Sequence, residues 1–99
     1  MIFDSRKVQK YIINGARIIA TIRKSGYYYI SQKVTMRVGD KKLYGRVIAI
    51  KPITPYTLSL CVEYSGFETI EEWLAEASRL HKTRINPDKF EIIVVEILS

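Results

Sequence analysis

Residues 17–24, Arg-Ile-Ile-Ala-Thr-Ile-Arg-Lys, decide the fold. They are rich in β-branched side chains, too short for a stable helix, and alternate between two sets. Arg17, Ile19, Thr21 and Arg23 fall on one face, and Ile18, Ala20, Ile22 and Lys24 on the other. Ser25-Gly26 ends the run. Downstream, residues 33–38 alternate again, with Lys33, Thr35 and Arg37 against Val34, Met36 and Val38, and Gly39-Asp40-Lys41 turns the chain. Residues 42–50 predict a long next strand, with Gly45 a bulge or bend. Tyr56, Leu58, Leu60, Val62 and Tyr64 alternate over 56–64 and predict a further strand, and residues 27–31, Tyr-Tyr-Tyr-Ile-Ser, are expected to be extended. Residues 90–98, almost all apolar, predict a central strand covered on both faces.

Two helices frame these strands. Asp4 or Ser5 caps the first, Val8, Tyr11 and Ile12 form its stripe, and Asn14-Gly15 stops it. Thr69 and Glu72 form a capping box for the second, whose apolar face holds Ile70, Trp73, Leu74, Ala77 and Leu80. Short connections favour antiparallel pairing. The expectation is one α+β domain over residues 1–99: a curled, mainly antiparallel β-sheet or pseudobarrel with two principal helices packed on it.

The charge is divided. Residues 1–51 hold twelve Lys/Arg against Asp4 and Asp40, a balance of +10, while residues 52–99 hold four against eight acids, a balance of −4. A concentrated positive field selects polyanions, nucleic acid first. Apolar residues at 47% and charged residues at 26% argue against disorder. The lone Cys61 forms no internal disulfide and predicts a reducing, intracellular home. No apolar stretch reaches the roughly 18 residues of a membrane span, and MIFDSRKVQKYI lacks a signal-peptide core.

No metal-ligand spacing, phosphate-binding glycine loop or nucleophile elbow occurs, so neither metal, cofactor nor catalytic residue is assigned. His81 stands alone, and Cys61 has no neighbouring base. What remains is the strand face of Arg17, Thr21 and Arg23, two guanidinium forks with a hydroxyl between them, suited to phosphate or carboxylate oxygens. Lys24, Lys33 and Arg37 flank it, and Tyr27, Tyr28 and Tyr29 offer rings for stacking on unpaired bases.

The run IINGARIIATIR resembles the signature of the ASCH domain, a branch of the PUA-like superfamily. VTMRVGDKKLYGRVIAI, GFETIEEWLAEASRLH and FEIIVVEIL resemble the following strands, the late helix and the closing strand of that family. The resemblance implies a PUA-like pseudobarrel that binds RNA. It also implies a second class, amidohydrolases of modified nucleosides that use a Lys, a Thr and a Glu. The family spacing is Gly, any, Lys, two of any, Thr, any, Arg. Counted from Gly15 the Lys position is Arg17, and counted from Thr21 and Arg23 it is Ile18. Arg cannot serve as a base, because its guanidinium stays protonated at any working pH. The expected function is therefore a nucleic-acid-binding module, RNA or another single strand preferred. The hydrolase and a protein-interaction or homo-oligomeric assembly module are alternatives. Size, Ile and Tyr content look like small proteins of hyperthermophilic archaea or their viruses.

Overall fold

The computed structural model describes residues 1–98. The chain runs β1 (Ile2–Phe3), α1 (Arg6–Ile13), β2 (Ile18–Lys24), β3 (Lys33–Val38), β4 (Lys41–Pro52), α2 (Pro55–Cys61), α3 (Ile70–His81) and β5 (Phe90–Ile97). One turn of 3-10 helix, Val62–Tyr64, extends α2. The five strands form one curled sheet in the order β1-β3-β4-β5-β2. Only the two-residue β1 runs parallel to its neighbour; the other pairings are antiparallel. The expected class, a curled α+β sheet with helices packed on it, is what the structure shows.

The alternation of the strands builds two cores, one on each side of the sheet. Ile19, Met36, Val38, Val47, Ile93 and Val95 fill the concave side, and Val8 and Ile12 of α1 plug it. Ala20, Ile22, Ile92 and Val94 fill the other side beneath Trp73 and Ala77 of α3 and Leu58 and Cys61 of α2. Strand β5 serves both cores, which is why it is apolar throughout. Each fully buried Val or Ile contributes roughly 1.5–3 kcal/mol. The sheet edges approach one another on the concave side, where Arg23 Nη2 of β2 donates to the Ile2 carbonyl of β1 at 2.9 Å. The result is a half-barrel.

Four details correct the expectations. Residues 56–64 are helical, not a strand. Thr54 Oγ1 accepts from the Thr57 amide at 3.1 Å, Thr57 Oγ1 accepts from the Thr54 amide at 2.9 Å, and Pro55 sits in the first turn. This closed cap outweighs the alternation, and Leu58 and Cys61, three residues apart, become the buried pair. Residues 27–31 are a loop rather than extended strand, tied down where the Ser31 amide donates to the Val47 carbonyl at 2.8 Å. The β4 irregularity lies between Val47 and Ala49, not at Gly45. Gly45 answers a packing need: a Cβ there would stand 2.6 Å from Val95 Cγ1 and 2.9 Å from the Glu96 carbonyl oxygen. Finally, Thr69 accepts from the Glu72 amide at 3.1 Å, but the Glu72 carboxylate turns to Lys7 Nζ at 2.6 Å, tying α3 to α1.

Candidate functional site

The residues expected to form one site are divided among five places. Thr21 and Arg23 line a cleft of about 190 Å³ between the β1–α1 segment, the free edge of β2, and α3. Its walls include Phe67, Trp73, Ala77 and Leu80, with Asp4, Glu76 and His81 among the polar members. Arg23 is consumed by the fold. Nε donates to Thr21 Oγ1 at 3.1 Å, Nη2 holds the Ile2 carbonyl, and the guanidinium carbon lies 5.0 Å from the centre of the Phe3 ring. Burial lowers its pKa from the ordinary value. The free carbonyls of the β2 edge are also occupied. Tyr11 Oη donates to Ile18 O at 3.0 Å, and His81 Nε2 to Ile22 O at 3.2 Å. Its one cation is engaged, and Asp4 and Glu76, the latter paired with Arg79, share the lining, so the cleft is not a basic one.

Arg17 does not join it. This side chain is exposed at the start of β2, where the Arg17 carbonyl accepts from the Ile97 amide at 2.7 Å. The expected triad of Arg17, Thr21 and Arg23 is therefore corrected to a pair. Lys24 lies in a separate groove with Arg84 and Lys89, which the α3–β5 loop brings to the end of β2. Tyr28 packs against the concave core, while Tyr27 and Tyr29 project from the loop at 71% and 66% exposure.

Lys33 and Arg37 lie on the outer face of the β3–β4 hairpin. The alternation of β3 buries Val34, Met36 and Val38 and turns Lys33, Thr35 and Arg37 outward. The two-residue Gly39-Asp40 turn sets Val38 opposite Lys41, which fixes every other pair: Arg37 with Lys42, Thr35 with Tyr44, Lys33 with Arg46. Directly opposed residues share a face. Two like-charge pairs therefore flank Tyr44, whose ring is 50% exposed and lies 5.9 Å from Lys42 Nζ. Lys42, Tyr44 and Arg46 are the residues the sequence reading missed, and the length of the turn was the signal that could have found them.

These features define a class: a half-barrel α+β protein with a basic outer face centred on an aromatic ring. No family model matches the chain, and no solved structure matches it. The chain is 56% identical over 97 residues to "Uncharacterized protein 105" of Sulfolobus islandicus rod-shaped virus 1, a match spanning 98% of this chain and 92% of that protein. It belongs to the family of that viral protein, and the viral side of the expected source is supported. No helix among the described residues is long and apolar enough to cross a membrane, and no group of His, Cys, Asp or Glu among them could hold a metal ion.

Proposed function

We propose that the protein is a non-catalytic nucleic-acid-binding module with a preference for single-stranded RNA. The observation that carries this reading is the lack of internal neutralisation. The described residues hold two ion pairs, Lys7 with Glu72 and Arg79 with Glu76. Lys7 is the one first-half cation they engage, so the +10 half of the chain meets its charge elsewhere. Unpaired cations exchange condensed counterions for a polyanion, which is the main source of nucleic-acid affinity. The ASCH resemblance belongs to this proposal, since it implies the same ligand class.

The hydrolase alternative finds less support. Thr21 Oγ1 accepts a hydrogen bond from the Arg23 guanidinium, which cannot take its proton. The assembly alternative loses two acids, because Glu72 and Glu76 of α3 are already paired within the chain. Titration of labelled single-stranded RNA at a series of salt concentrations tests the proposal. The expected log–log slope is about −0.7 for each phosphate neutralised. Binding that ignores salt, or none at low salt, contradicts it.

A further inference from the structure

The nucleic-acid reading leaves open where the strand sits, and the first-strand cleft does not suit it. The outer face of β3–β4 does. On its own strand Tyr44 has Lys42 and Arg46 two residues away on either side, about 6.6–6.8 Å along the same face. Across the hairpin, Lys33 and Arg37 are its diagonal neighbours at about 7–8 Å. The ring thus stands at the centre of four cations. Two acids lie nearby, Asp40 in the turn and Glu96 in register with Arg46, and neither forms an ion pair among the described residues.

This arrangement opposes folding. Like charges placed directly across an antiparallel pair destabilise it, and a half-exposed tyrosine between them adds little to the core. An acidic protein partner would answer the charges and leave the ring unexplained. A duplex would offer phosphates but keep the faces of its bases stacked away from the ring. A single strand answers both features, with phosphates for the cations and an unpaired base for the ring.

We propose, resting on the nucleic-acid reading above, that this face is the binding surface. Tyr44 stacks on an unpaired base, and Lys33, Arg37, Lys42 and Arg46 hold the phosphates on either side. The chemical class of ligand is a single-stranded polynucleotide, read by stacking and charge rather than by base edges.

The test is fluorescence anisotropy at low salt with an end-labelled uridine oligomer, free and annealed to its complement. The free strand binds more tightly than the duplex. Tyr44→Ala weakens the free strand by ~5- to 150-fold and leaves the duplex unchanged, while Tyr44→Phe retains the wild-type preference. Tyr44→Thr, which keeps a good strand former at the position, repeats the loss without the ring. Arg37→Gln with Lys42→Gln lowers the salt slope by about 1.4. Equal affinity for duplex and free strand, or binding that survives all these changes in folded protein, overturns this surface while the nucleic-acid reading stands. Binding of neither form at low salt removes both.

Discussion

Replacing Lys33 and Arg37 together by glutamate should stabilise the fold while removing nucleic-acid affinity. Each faces another cation directly across the hairpin, Arg46 and Lys42 respectively. The changes turn two repulsive pairs into two attractive ones, and cross-strand charge pairs contribute roughly 0.2–1 kcal/mol each. Exposed ion pairs span the same range. The sites lie four residues apart, about 13 Å along the strand, and face different partners, so the two gains add. Glu96 already faces Arg46 from β5 and trims the Lys33 half of the effect. The cation–π contact of Lys42 with Tyr44 is untouched. The sum is about 0.4–2 kcal/mol, and a domain of this size shifts its Tm by about 4–8 °C per kcal/mol. Thermal melts followed by circular dichroism should therefore rise by a few degrees and up to ~15 °C at low salt, with the gain shrinking toward 1 M salt, where the Debye length is ~3 Å. An unchanged or lower Tm at low salt, or a gain that grows with salt, would refute the reasoning that these pairs oppose folding.

Gly45→Ala forces a methyl group onto the Val95 side chain and the Glu96 carbonyl oxygen, a backbone atom that cannot swing aside, and should cost about 1–3 kcal/mol in denaturant unfolding. Thr54→Ala opens the cap of α2 and should cost ~1 kcal/mol by the same measurement, with no effect on binding. The hydrogen bond from Lys7, aided by the charge of that ammonium, holds Glu72 below its ordinary carboxylate value. A depressed folded pKa gives stability that is complete above the unfolded value and lost as pH falls through the folded one. A carboxyl NMR titration should thus find the Glu72 midpoint low in the native protein and returned upward by Lys7→Ala.

Much of the fold was legible because period-two patterning and Gly turns leave little choice. Residues 17–24, 33–38 and 90–98 could be read as strands because each alternates or is almost wholly apolar. The 56–64 stretch misled because its alternate residues are apolar yet its cap is helical. Thr57 performs the role usually given to Glu or Gln in a capping box, a signal shorter and weaker than five apolar residues in alternation. Strand β1 escaped because two residues carry no period. The candidate site was half legible. Composition marked Lys33 and Arg37 as part of a positive field, but reading β2 in isolation gave its guanidinium groups to a ligand. Only the approach of β1 shows that Arg23 holds the sheet edges together. The partners of Lys33 and Arg37 required cross-strand register, which the Gly39-Asp40 turn encodes and which single-strand patterning does not use.

The most direct test of the central claim is amide chemical-shift mapping of the ¹⁵N-labelled protein as an unlabelled single-stranded oligouridine is added. The largest changes should fall on Lys33, Arg37, Lys42, Tyr44 and Arg46, on the outer face of β3–β4. Changes centred instead on Thr21, Trp73, Ala77 and His81 around the cleft, or no changes at low salt, would contradict it.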